Sequence, residues 1–448
     1  MRRSTWSIVL GAALLLTSIA GGAAYLTLRG DGGGDAGLAA LLDTTSAAES
    51  RARTDEIIAF WQARVEGDPI DFISSTKLGS AYIRQARETG DVSAYERAEA
   101  ALRRALELRP DHTPASAELA TVLYAKHDFA GALWLAQLVY AADPSATQAL
   151  ATVGDAQVEL GNYDAAQAAY DELSAVASGA AVLSRRAHLA ELRGDLDTAL
   201  SLLEQANEQA ETSTQSGERP AWYRLQLGEL AFNTGRYDAA ERRYREALER
   251  FPGYHPAVAG LAKVAAARGE DDAAIDLYER AIAAVPQPAY LAALGDLYAH
   301  AGDEATARQR YDTVELIGTL AAINRAVYNR ELALFYADHG VKTAEAVALA
   351  LSELEVRKDV YGYDAAAWAL YQDGRAQEAS PLMEQALRLG TQDAMLLFHA
   401  GMIARELGDD DAARSHLERA LELNPRFSIR HADTAADTLR DLRAAVQR

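Results

Sequence analysis

The stretch LGELAFNTGRYDAAERRYREALERFP, Leu227 to Pro252, carries the pattern that organises this chain. Leu227 and Ala231 sit four residues apart, as neighbours on one helix face do. Gly235 breaks that run, and glycine is the residue best suited to a left-handed helix end. Ala240, Tyr244 and Ala247 then restart helical spacing, and Pro252 stops it. The stretch reads as two helices joined by a tight turn.

The same signs return along the chain. Val153-Gly154, Gly161-Asn162-Tyr163, Ala166 and Tyr170 repeat the front half of the pattern. Leu261, Gly269, Ala274, Tyr278, Ala281 and Pro286 repeat most of it, as do Leu294-Gly295, Tyr298, Gly302, Ala307 and Tyr311. Gly401, Gly408, Ala413, Leu417, Ala420 and Pro425 close the series. Pro110 to Pro144, Pro252 to Pro286, Gly235 to Gly269, Gly340 to Gly374 and Gly374 to Gly408 are each 34 residues apart. In residue type and in period these segments resemble the tetratricopeptide repeat, a helix–turn–helix unit of about 34 residues. The resemblance implies an all-α fold, a right-handed solenoid of about ten such repeats over roughly residues 72–425.

Each recurring residue has a physical task. The turn glycine ends the first helix of a unit, and Asn162, Asp195, Asp303 or Asp409 follows it to cap the second. Gly79, Gly154, Gly228, Gly295 and Gly401 fall inside first helices and match Ala98, Ala166, Ala240, Ala307 and Ala413 in second helices. Small residues on both sides let the two helices cross closely. One unit cannot bury its apolar stripe alone, so neighbours must stack into a continuous core. Tyr82, Tyr163, Tyr170, Tyr237, Tyr244 and Tyr278 occupy motif positions and are assigned to packing. Three places are irregular: extra residues between Tyr82 and Tyr95, an insertion from Glu211 to Pro220, and a degenerate unit near Glu331 to Leu354.

Outside the array, Arg2 and Arg3 precede an uncharged run from Trp6 to Leu28. At ~1.5 Å per residue such a helix reaches about 34 Å, enough for a ~30 Å hydrocarbon core. Residues 1–28 are therefore expected to be a transmembrane signal anchor with the arginines on the cytoplasmic side, placing the repeats outside the cytoplasm. A cleaved leader with Gly22 and Ala24 near its end is the rival reading, and it too exports the repeats. Ser7, Gly11, Ser18 and Gly22 share one face and can bring two such helices together as a homodimer. Residues 29–43 form a Gly/Asp-rich linker, residues 44–71 an N-terminal capping helix, and residues 426–448 a C-terminal one.

Composition narrows the function. The chain has 448 residues, no cysteine and a net charge of −21. Without cysteine there are no disulfides, thiolate metal sites or cysteine nucleophiles. The acidic balance argues against nucleic-acid binding, which needs clustered Lys and Arg. The nine histidines fall in no zinc-binding spacing, and no nucleophile elbow or kinase signature is present. The sequence thus predicts no enzyme, no cofactor and no metal site, and assigns the histidines to solvent.

The resemblance implies a protein or peptide partner lying along the concave face made by first helices. The non-core residues there are Tyr124, Asp155, Glu159, His188, Glu191, Trp222, Glu229, Phe232, Asn233, Lys263, Asp296, His300, Tyr361, Asp364, Trp368 and Tyr371. The set is acidic and aromatic, which favours a neutral or basic partner. A clamp of Lys, Asn and Arg for an acidic tail is missing, since Lys263 stands almost alone. The expected function is a membrane-anchored extracytoplasmic scaffold or chaperone-like adaptor; the alternative is an accessory subunit of an envelope enzyme complex.

Overall fold

A computed structural model describes residues 41–212, 218–323 and 329–446, and among them every regular element is a helix. Helix α1 (Thr45–Gly67) precedes ten helical hairpins. The first five units are α2 (Phe72–Thr89) with α3 (Ser93–Leu108), α4 (Thr113–Ala125) with α5 (Phe129–Ala142), α6 (Thr147–Glu159) with α7 (Tyr163–Val176), α8 (Ala180–Leu192) with α9 (Leu196–Thr212), and α10 (Glu218–Asn233) with α11 (Tyr237–Arg250). The next five are α12 (His255–Ala267) with α13 (Asp271–Ala284), α14 (Pro288–His300) with α15 (Glu304–Ile323), α16 (Asn329–Asp338) with α17 (Thr343–Val356), α18 (Val360–Gln372) with α19 (Ala376–Leu387), and α20 (Ala394–Glu406) with α21 (Asp410–Leu423). Helix α22 (Ala432–Val446) covers the last unit with Ala435, Leu439 and Leu442.

The turns form where the sequence places them. Gly235 and Gly408 adopt φ of 68° and 80°, a region that side chains with a Cβ rarely enter. In the second unit His127 takes this position at φ 60° and stacks on Phe129. Asp195, Asp303 and Asp409 each accept from a backbone N–H in the first turn of the next helix, as caps do. Asn162 does not; its amide donates instead to Gln157, 2.9 Å away.

The close helix crossings are filled by aromatic rings. A Cβ at Gly228 would lie 2.5 Å from the ring of Tyr244, and one at Gly260 would lie 2.6 Å from it. Tyr244 is therefore held between the first helices of two successive units, and it is fully buried. Ala98, Ala166, Ala240, Ala307 and Ala413 are also fully buried. Replacing Ala240 by leucine should destabilise the protein by about 1–3 kcal/mol through overpacking, read from urea denaturation. An unchanged midpoint would mean the register is wrong.

The irregular units keep the hairpin plan with altered lengths. Helix α2 has 18 residues where α4 has 13, absorbing the extra residues before Tyr95. The expected insertion from Glu211 to Pro220 falls partly on residues 213–217, outside the described ones. The eighth unit opens with a first helix of only ten residues, after an α15 of 20.

The solenoid winds far enough to touch itself. Lys358 N–H donates to the carbonyl of Glu159 at 2.8 Å, and Val360 N–H to the Tyr163 hydroxyl at 2.9 Å. Thr391 donates to the carbonyl of Leu192, and the Asn424 amide to that of Phe232. These partners are 192 to 199 residues apart, so one superhelical turn takes roughly six 34-residue units. At the other edge, Gly253 N–H donates to the carbonyl of Leu41 at 2.9 Å, tying the residues ahead of α1 to the end of the fifth unit. Turns between the helices of early units thus rest on turns between later units.

Arg357 is the centre of this seam. Its guanidinium meets Glu159 of the third unit and Asp359 beside it, and lies over the Phe129 ring of the second. Glu353 is 2% exposed and sits 3.4 Å from His127 and 3.9 Å from Arg357. Burial alone would disfavour the charge on Arg357, but Glu159 and Asp359 raise its pKa above the usual range.

Candidate functional site

The concave face is built by first helices, and most of its carboxylates are engaged by the chain itself. Asp155 accepts from the Tyr170 hydroxyl and from Arg185 Nε, both at 2.8 Å. Glu229 accepts from Tyr244 at 2.9 Å and pairs with Lys263. Asp296 accepts from Tyr311 at 2.8 Å and meets His339 Nε2 at 3.0 Å. Glu159 accepts from the Tyr124 hydroxyl at 2.9 Å and pairs with Arg357. Asp364 meets His399 Nδ1 at 2.9 Å.

The first three of these follow one rule. An acid directly after the helix-buried glycine accepts from a tyrosine 15 residues later: Gly154-Asp155 to Tyr170, Gly228-Glu229 to Tyr244, Gly295-Asp296 to Tyr311. Where leucine replaces that tyrosine, as at Leu102 and Leu417, the residue after the glycine is Ser80 or Met402. A buried hydroxyl needs a partner, and the carboxylate supplies it. Burial, then the adjacent carboxylate, pushes the Tyr170 and Tyr244 hydroxyls far above the ordinary phenol range. The acidic stripe is therefore a structural ladder, which removes the argument that it selects a basic partner.

Among the described residues, this face carries two cavities of several hundred Å³. One, of about 600 Å³, lies between the second and fifth units, with Arg87 of the first unit also on its wall. Tyr124, Asp155, Glu159, His188, Glu191 and Trp222 all line it. Its wall also holds Arg87, Arg219 and Gln226, which sequence reasoning did not single out. Among the described residues neither Arg87 nor Arg219 forms an ion pair. Trp222 is 36% exposed and packs edge-on against buried Tyr223. The second cavity, of about 580 Å³, is lined by Phe232, Lys263, Asp296 and His300 on one side and by residues 426–429 on the other. Asn233 is half-buried at the end of α10.

The aromatics of the ninth unit lie elsewhere. Tyr361 packs at the seam beside Val360 and Leu389. Trp368 is 1% exposed, with Tyr371 stacked on one part of it at 5.0 Å and His399 at 4.1 Å. Its indole N–H donates to Asp338 at 2.8 Å. What covers it is the chain's own segment after α21: His431 meets the Trp368 ring edge-on, and its Nε2 lies 3.1 Å from Asp338. The predicted groove residues thus divide among two cavities, the seam and a patch covered from within, while Glu229 and Asn233 line neither cavity.

Not all histidines face solvent as expected. His399 is 1% exposed and His431 is 7% exposed, each facing an aspartate. Burial disfavours the His399 imidazolium, but Asp364, with Asp338 and Asp393 nearby, outweighs this and holds its pKa above 6.5. A raised folded-state pKa contributes stability that is complete below the unfolded value and is lost as pH rises through the folded one. The stability advantage of the wild type over His399→Gln, from urea denaturation, should therefore shrink as pH is raised from below 6.5 to well above it. A constant difference would show that the charge on His399 does not matter.

Four tetratricopeptide-repeat family models match residues 83–147, 180–252, 231–297 and 394–427. The matched hairpins are tetratricopeptide repeats. They include the α10–α11 unit with Tyr244 and the last hairpin before the C-terminal segment. Similar tetratricopeptide-repeat structures include a thermophilic protein of Thermus thermophilus, 22% identical, covering 42% of this chain and 98% of its own, at a TM-score of 0.37. Another, from Parabacteroides merdae, is 18% identical and covers 58% of this chain and 97% of its own at 0.33. Yeast Tom70 is 13% identical over 84% of this chain and 96% of its own at 0.34. Scores this low carry no argument about function. No curated protein matches the chain.

Proposed function

We propose that this protein is a protein-interaction scaffold that receives an extended segment or helix of a protein partner in the cavity between the second and fifth repeats. The observation that carries this reading is the cavity itself: side chains from successive first helices line about 600 Å³, with Trp222 at 36% exposure among them. Exposed aromatics in concave sites are common anchors of protein interfaces. The neighbouring carboxylates are already paired, so partner choice rests on Trp222, on polar groups such as Gln226, and on Arg87 and Arg219.

The Trp222→Ala variant should lose partner capture while its stability falls by clearly less than the about 3–5 kcal/mol of truncating a fully buried aromatic. Equal capture by both proteins, after crosslinking in the native cells, would remove this cavity as the docking site.

We further propose that residues 1–28 anchor the protein in a membrane with the repeats outside the cytoplasm. The support is Arg2 and Arg3 ahead of the uncharged run Trp6 to Leu28. Residues 1–40 lie outside the described residues, and among the described ones no helix is long and apolar enough to cross a membrane. The full-length protein should stay in membranes through an alkaline wash, and its repeats should be digested by protease added outside the cytoplasmic membrane. Release by the wash, or protection from protease, would contradict the anchor or its orientation respectively.

A further inference from the structure

We propose that the concave groove of the seventh to tenth repeats is a second recognition site, for a short turn-forming segment bearing an aromatic residue followed, three residues on, by an Arg-His pair. The chain's own Phe427 to His431 occupies it at rest. This site is separate from the cavity of the second to fifth repeats.

The contacts define the chemistry. The segment touches one residue from each of four consecutive first helices: Asp296, Asp338, Trp368 and Phe398. Arg430 Nε donates to the Asp338 carbonyl at 2.7 Å, and its Nη1 reaches Asp296 at 3.3 Å. His431 pairs with the Asp338 carboxylate at 3.1 Å and stacks on Phe398 at 5.0 Å. Phe427 also packs on Phe398, at 5.7 Å. The groove therefore offers two carboxylates and an aromatic floor, and its occupant supplies a guanidinium, an imidazole and a phenyl ring. An amphipathic segment laid along successive helices with charged and aromatic anchors is a recurring mode of peptide recognition.

The way the segment is held makes it exchangeable. Arg430 and His431 turn their backbone N–H groups to the Ser428 hydroxyl, and Arg426 N–H turns to the Asn424 side chain. The hydrogen bonds from the segment to Asp296 and Asp338 all come from side chains, so a segment in trans with the same side chains can replace it. Helix α22 has its own apolar contacts through Ala435, Leu439 and Leu442, and release of the segment needs only its first turn to open, where Ala435 N–H donates to the His431 carbonyl at 2.9 Å.

The test uses the whole chain and a labelled peptide of the sequence NPRFSIRHA, residues 424–432. Its affinity for the Arg430→Ala/His431→Ala double variant should exceed that for wild type at least about tenfold, because a mostly occupied site lowers apparent affinity by its open fraction. A peptide with alanine at those two positions should bind neither protein. Equal binding of the first peptide to both proteins would overturn the proposal. A second measurement does not depend on the double variant folding. The chain has no cysteine, so Arg426→Cys, at an exposed position just ahead of Phe427, gives a single site for a fluorescent label. Added peptide should free that label and lower its anisotropy in a saturable way. Unchanged anisotropy would mean the segment is a fixed part of the cap, and the second site would be withdrawn.

Discussion

Replacing Trp368 by alanine should lower the unfolding free energy by about 3–5 kcal/mol, the range for truncating a buried large aromatic. Trp368 is 1% exposed and is enclosed by Tyr371, His399, Phe398 and His431. The substitution leaves a cavity among these rings and deprives Asp338 of the indole donor. It should also loosen the segment after α21, since His431 loses a ring to pack against. Calorimetry or urea denaturation will show a large fall in midpoint. A midpoint near wild type would mean that Trp368 faces an open groove, and the account of the covered patch would fail. Trp222, on the first helix of an earlier unit, should behave oppositely because solvent already reaches it.

Arg357→Ala should be comparably costly, and for a different reason. Three carboxylates meet this guanidinium, on Glu159, Glu353 and Asp359, and all are less than a tenth exposed. Removing one member of a buried charge cluster costs about 3–5 kcal/mol, because the partners are left charged and dehydrated. The relief open to the protein is to part the two windings and let water reach the acids. We therefore expect a larger radius of gyration in small-angle scattering together with the lower midpoint. A destabilised protein of unchanged dimensions would place the strain within the eighth unit rather than at the seam. No loss of stability would mean that the seam does not form.

These two residues also show where sequence reading succeeds and where it stops. Repeat period, turn glycines and the pairing of small residues are local patterns, and the hairpins follow them closely, as Gly228, Ala240 and Tyr244 show. The ladder of acids was equally legible, since Asp155, Glu229 and Asp296 each stand 15 residues before a tyrosine. Reading them as an acidic surface overlooked the demand of a buried hydroxyl for an acceptor. Arg357 meeting Glu159 was not legible. That contact spans 198 residues and depends on the pitch of the superhelix, which accumulates from small rotations at every unit. The covering of Trp368 was hidden for a related reason: its motif position is concave, and nothing local says that residues 426–431 return to fill the groove.

Docking of a protein partner in the cavity between the second and fifth repeats can be tested in place. The most direct measurement is site-specific photo-crosslinking of the full-length protein in its native cells, with the crosslinker placed in turn at Trp222, at Gln226 and at Trp134. Trp134 is 63% exposed on a second helix, so it reports contacts away from the concave face. The same partner protein should be crosslinked from Trp222 and Gln226 and absent from Trp134. Crosslinks from Trp134 with none from Trp222 or Gln226 would contradict docking in the cavity and move the interaction to the outer surface.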